Sequence, residues 1–143
     1  MVRTLVSMLV GVALALTAVA AQAQSLVGTW STTISWDTPG GLMITSSFTA
    51  DGRLQSTTQN RQGQAFMLSG VYQFQNGVLQ YKWLDYAPKQ ICLAYCQPIG
   101  SPAPLGVVNS ENIQFLNPNQ FVSTTPNGSA TYVRTNAAGF PGQ

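Results

Sequence analysis

The chain has 143 residues, 7% of them charged and 45% hydrophobic, with six basic residues against four acidic ones. So sparse and balanced a charge does not suit a phosphate-binding surface, so nucleic acid is not an expected partner; the recurring aromatic and β-branched residues argue against intrinsic disorder. Histidine is absent, which removes Ser-His-Asp and Cys-His catalysis and histidine-ligated zinc or haem.

The first segment has the three parts of an export signal. Arg3 supplies the positive start, Leu5 to Ala20 form an apolar run, and Ala21-Gln22-Ala23 makes a small-x-small cleavage site before Gln24. The run is shorter than the ~20 residues that span a bilayer, and no basic stop-transfer cluster follows it. The expected division is a signal peptide over 1–23, one domain over 24–135 and a flexible tail over 136–143. The product is expected in the bacterial periplasm or outside the cell, as a monomer that does not span a membrane after cleavage.

After Gln24 the dominant period is two, the mark of half-buried strands. Leu26–Trp36 alternates with Trp30, Ile34 and Trp36 inward, and Asp37-Thr38-Pro39-Gly40-Gly41 is turn chemistry. Leu42–Ala50 follows. A three-residue loop, Ala50-Asp51-Gly52, keeps the apolar face continuous by setting Phe48 opposite Leu54, with Gly52 in the left-handed position of a bulge. Arg53–Asn60 is a polar strand. The next, about Ala65–Gln75, carries Phe66, Leu68, Tyr72 and Phe74 on one face. Asn76-Gly77 then predicts a two-residue hairpin that pairs Phe74 with Leu79, Tyr72 with Tyr81 and Gly70 with Trp83. Asp85 continues the inward parity of Leu79, Tyr81 and Trp83. It reads either as a buried acid with a raised pKa or as a residue at the barrel mouth paired with Lys82 or Lys89.

From Ala87 to Val108 the alternation fails, because prolines and glycines forbid a central strand. This long connection holds Cys92 and Cys96. In an exported protein the pair is expected to form a disulfide, which requires a turn or one helical turn at 92–96 because four residues of extended strand separate the sulfurs too far. No metal site and no cofactor is expected. Short strands at Glu111–Leu116, Gln120–Thr125 and Ala130–Thr135 end the fold, with Asn117-Pro118-Asn119 and Pro126-Asn127-Gly128 as turns.

Eight antiparallel strands with one inward face predict an all-β, up-and-down barrel, with a two-sheet β-sandwich as the alternative. A membrane-embedded barrel fits less well. Several strands are shorter than the ~9–11 residues needed to span, and the outward positions are Thr, Ser and Gln.

Leu26-Val27-Gly28-Thr29-Trp30 resembles the Gly-x-Trp signature that opens lipocalin-like (calycin) barrels. Phe48-Thr49-Ala50-Asp51-Gly52-Arg53 and Ser69-Gly70-Val71-Tyr72 are similar to segments common in bacterial lipocalin-like domains, and Arg134 on the last strand is similar to the family's terminal arginine. The resemblance spans roughly residues 26–135. It implies that Arg134 covers Trp30 at the closed end and bonds nearby carbonyls, a structural role shared with Gly28. The chain is smaller than full lipocalins and shows no long C-terminal helix, which puts a spacious cavity in question.

The resulting expectation is a non-enzymatic barrel that binds a small apolar molecule in its open end, with Trp36, Phe48, Tyr72, Phe74, Tyr81 and Trp83 as the candidate pocket. Those aromatics can equally fill the core. The alternative is a protein partner, such as a secreted protease bound by an inhibitor. Barrel inhibitors of bacterial metalloproteases use a segment ahead of the barrel, and only Gln24-Ser25 precede Leu26 here. Loop 87–108 would make that contact instead.

Overall fold

The computed structural model describes residues 24–135; the expected signal peptide at 1–23 and the tail at 136–143 lie outside the described residues. Ten strands form: β1 (Gly28–Ile34), β2 (Leu42–Phe48), β3 (Arg53–Asn60), β4 (Ala65–Gln75), β5 (Val78–Ala87), β6 (Gln90–Cys92), β7 (Cys96–Pro98), β8 (Val108–Asn117), β9 (Gln120–Thr125) and β10 (Gly128–Arg134). Eight of them close into an antiparallel barrel in the order β1-β10-β9-β8-β5-β4-β3-β2, and β6 and β7 make a separate two-stranded hairpin within the long connection. Each barrel strand follows its neighbour through a turn, except where β5 reaches β8 by way of that hairpin.

The hairpin registers follow from turn chemistry. Asn76 and Gly77 both take positive φ, 52° and 75°, as a type I′ turn requires. Tyr72 pairs with Tyr81, Gly70 with Trp83 and Phe74 with Leu79. Phe48 pairs with Leu54, and the Thr49 amide donates to the Arg53 carbonyl at 3.0 Å across the three-residue loop. The even-numbered residues of β1 to β4 and the odd-numbered ones of β8 and β9 thereby face one lumen.

Two expectations are corrected here. The first strand ends at Ile34 rather than reaching Trp36. Ser35 turns to positive φ, and its carbonyl accepts both the amide and the hydroxyl of Thr38, at 2.9 and 2.8 Å. Trp36 is therefore held in the turn, not on the inward face, and Ile34 stands 44% exposed at the strand's end. The second correction concerns Asp85. The β4–β5 ladder passes from Gly70–Trp83 to Ser69–Asp85, so Leu84 is an extra residue. A bulge reverses the facing of the residues beyond it. Asp85 points outward and binds Lys89 at 2.5 Å, and that bond holds its carboxyl below the usual range. The side chain is exposed and paired with Lys89, as the second reading expected, so what is corrected is the inward facing and the buried acid. Tyr86, opposite Leu68, takes the inward place.

The turns at 50–52, 76–77 and 118–119 gather at one end of the barrel, which is closed. Trp30 is fully buried there, its Nε1 donating to the Leu26 carbonyl at 2.7 Å. Its ring lies edge-on to Phe121 at 4.7 Å and to Phe115 at 6.1 Å, and Phe115 in turn meets Phe74 at 6.1 Å. These rings exclude water and fill the closed half with apolar area. At the other end stand the turns at 35–41, 61–64 and 126–127, and the long connection. The Tyr86 hydroxyl donates to the Ile99 carbonyl at 2.8 Å, and the Gly106 amide donates to the Trp83 carbonyl at 2.8 Å. The connection is thus tied to the barrel at two points.

Candidate functional site

The lumen changes character along its axis. Toward the closed end it is lined by Phe48, Leu54 and Leu79. Farther along, the same strands present Ile44, Ser46, Ser56, Thr58, Tyr81 and Trp83, and β8 adds Glu111. Between them lies an unfilled cavity of about 230 Å³. Barrel interiors of eight strands either fill with side chains or hold one small ligand, and here the small Ser and Thr side chains leave space. Ser46 and Ser56 are buried, and their hydroxyls bond each other at 3.0 Å.

Glu111 is the one charged side chain lining this cavity. It reaches the lumen because it sits opposite Leu79 on the inward row that continues with Ile113 and Phe115. The Tyr81 hydroxyl donates to one carboxylate oxygen at 2.7 Å, and the Ser123 hydroxyl donates to the other. Burial, the Glu111 bond and the Glu111 charge together push the Tyr81 phenol well above its usual range. Burial, and then the charge of Glu111, push that of Tyr132 up to about 12. Both phenols stay neutral at ordinary pH and act there as hydrogen-bonding groups.

A second cavity, of about 900 Å³, opens beside the first along the barrel wall. It is lined by β1 from Ser31 to Ile34, by β10 from Gly128 to Val133, and by Glu111 and Ser123. The backbone explains it. β1 and β10 pair at Trp30–Arg134 and Ser31–Val133, with Thr135 bonding the Thr29 carbonyl below them. Beyond Ser31 the two strands part, while each keeps its other neighbour. Glu111 and Tyr132 line both cavities, so the opening in the wall leads to the carboxylate.

The residues singled out from sequence separate accordingly. Phe48, Tyr81 and Trp83 line the inner cavity. Phe74 belongs to the closed-end cluster. Tyr72 packs edge-on to Phe48 at 5.0 Å, with its hydroxyl on the Thr49 carbonyl at 2.7 Å, at the closed end. Trp36 lines neither cavity. Arg134 lies 4.1 Å over the Trp30 ring and donates to the Val27 carbonyl at 2.8 Å. Cys92 and Cys96 form a disulfide that closes the β6–β7 hairpin, with a bend over Leu93–Tyr95 between them. The hairpin carries apolar side chains outward, Leu93 being 92% exposed.

Sequence reasoning missed Glu111, Ser123 and Tyr132. The available signal was the alternation Glu111, Ile113, Phe115, which puts the carboxylate at the head of an inward row. The parting of β1 from β10 had no such signal. Among the described residues no three His, Cys, Asp or Glu side chains gather as a metal site would require, and no helix is long and apolar enough to cross a membrane. No family model, no curated protein and no solved structure matches this chain.

Proposed function

We propose that this chain is an exported, non-enzymatic lipocalin-like barrel that binds a small, largely apolar molecule in its lumen. The observation that carries the reading is the unfilled inner cavity, bounded by Phe48, Leu54, Leu79 and Trp83 and connected past Tyr132 to an opening in the wall. Ligand sites are concave and mostly apolar, with a few placed polar groups, and this lumen has that make-up. The family assignment rests on Gly28, Trp30 and Arg134 and on the eight-strand closure. Export rests on the first 23 residues and on the cysteine pair, since disulfides persist in oxidising compartments. The first residue of the mature protein from its host, expected at Gln24, checks the export.

The test of binding is a fluorescence titration with fatty acids, phenolics and isoprenoids. Trp83 lines the cavity, whereas Trp30 is sealed in the closed end and Trp36 stands in a turn. Ligand quenching is expected to survive Trp30→Phe and Trp36→Phe and to be lost in Trp83→Phe. Quenching that follows Trp36 alone would move the site out of the lumen.

One observation favours a second reading, a protein partner such as a protease. Ile91, Leu93 and Tyr95 project from the disulfide-closed hairpin into solvent. A braced apolar tip loses little conformational entropy on binding. A protease panel run with wild type and Leu93→Asp separates the two: inhibition lost in that variant, with ligand titration unchanged, assigns the function to the hairpin.

A further inference from the structure

The surroundings of Glu111 specify a ligand class, given the reading that the lumen binds a small molecule. Among the described residues the ion pairs are Arg53–Asp51 and Lys89–Asp85, both on the surface, and neither includes Glu111. No lysine or arginine lines either cavity. The carboxylate therefore faces the open space with no cation beside it and two neutral hydroxyls bonded to its oxygens.

Its hydrogen bonding is also incomplete. An ionised carboxylate offers about four lone-pair sites, and Tyr81 and Ser123 use one on each oxygen. What remains calls for a donor, and a cationic donor adds to the hydrogen bond the attraction of opposite charges, which strengthens where water is excluded. The rings of Tyr81, Trp83 and Tyr132 line the same cavity, and aromatic faces attract cations. Beneath them the wall is apolar. At about 230 Å³ the cavity falls below the ~300–1,000 Å³ of sites for drug-sized ligands, which limits the apolar body to roughly one ring.

We propose that the lumen takes a small organic cation, a primary or secondary amine on a compact aromatic or aliphatic body. The ammonium sits on Glu111, and the body packs against Phe48, Leu79 and Trp83. The opening between β1 and β10 admits it, because Glu111 lines that opening as well as the lumen. A neutral molecule of the same shape leaves the carboxylate's charge unused, and an anion meets like charge in a site of low dielectric.

Calorimetric titration with three matched probes tests this: phenethylamine, 2-phenylethanol and phenylacetate. Wild type is expected to bind the amine about tenfold or more tighter than the alcohol, with the carboxylate weakest. In Glu111→Gln the ratio of amine to alcohol affinity should fall to about one. Tyr81→Phe removes one donor and frees a lone pair, so there the amine preference should persist or grow. That variant keeps the question open to measurement should Glu111→Gln fail to fold. Alcohol or carboxylate bound as tightly as the amine overturns the inference and leaves the small-ligand reading standing. An amine preference that survives in folded Glu111→Gln also overturns it. Absence of binding by all three, together with no response to the fatty acid, phenolic and isoprenoid series, overturns both.

Discussion

The guanidinium of Arg134 lies over the Trp30 ring at 4.1 Å, and Gly28 leaves the space through which it arrives. A Cβ at Gly28 would collide with Arg134 Nη1, and φ there is +130°, a conformation that side chains rarely adopt. The same guanidinium bonds the Val27, Ser25 and Pro118 carbonyls, so one side chain ties the segment entering β1 to the last strand and to the β8–β9 turn. Arg134→Ala is expected to cost about 2 kcal/mol in urea unfolding, from the cation–π contact and the lost bonds. Gly28→Ala should destabilise by a similar amount, about 1–3 kcal/mol, through strain. In the double variant the effects should fall short of additive, because without the guanidinium the Cβ has nothing to displace.

Gly70 faces Trp83 at the point where Leu84 bulges out of β5. A Cβ at Gly70 would run into the Lys82 carbonyl, which is backbone and cannot swing aside. Gly70→Ala is expected to destabilise by roughly 2 kcal/mol or more. Gly100 has open space around it, and Gly100→Ala serves as the neutral comparison.

The raised phenols make stability depend on alkaline pH. Tyr81 and Tyr132 stay protonated in the folded chain above the ordinary tyrosine pKa of 10.0, whereas in the unfolded chain they ionise there. The unfolded state then binds fewer protons, so stability is fully present below pH 10 and falls as pH rises toward 12. The slope approaches about 1.4 kcal/mol per pH unit for the more deeply placed Tyr132 and is smaller for Tyr81, where water screens the charge more. Denaturant titrations between pH 9 and 12 should show this fall, and Tyr132→Phe should flatten it.

The parting of β1 from β10 leaves backbone groups without ladder partners. Continuing the register from Ser31–Val133 would pair Thr33 with Thr131, and that pair is absent. In an antiparallel ladder alternate residues bond to each neighbour, so the amides of Thr33 and Thr131 face the gap. Hydrogen exchange should be fast at Thr33 and Thr131 and slow at Ser31 and Val133. Equal protection at all four would mean that the barrel seals along its whole length in solution.

The hairpins are legible in the sequence without any structure. Asn76-Gly77 sets the register of β4 on β5, because a type I′ turn leaves no freedom once Phe74, Tyr72 and Gly70 must share a face with Leu79, Tyr81 and Trp83. The same logic sets Phe48 against Leu54. These are local relationships in which turn geometry and period-two burial act on residues close along the chain. The remaining features depend on how distant segments fit together. The Leu84 bulge turns Asp85 outward, and no alternation rule foresees an inserted residue. The Ser35–Thr38 turn stops β1 early and takes Trp36 out of the lumen. Tyr81, Glu111, Ser123 and Tyr132 meet only because β5, β8, β9 and β10 lie side by side around a closed wall, and closure is a non-local fact. The gap beyond Ser31 belongs there as well, since β1 and β10 are brought together only when the last strand completes the barrel.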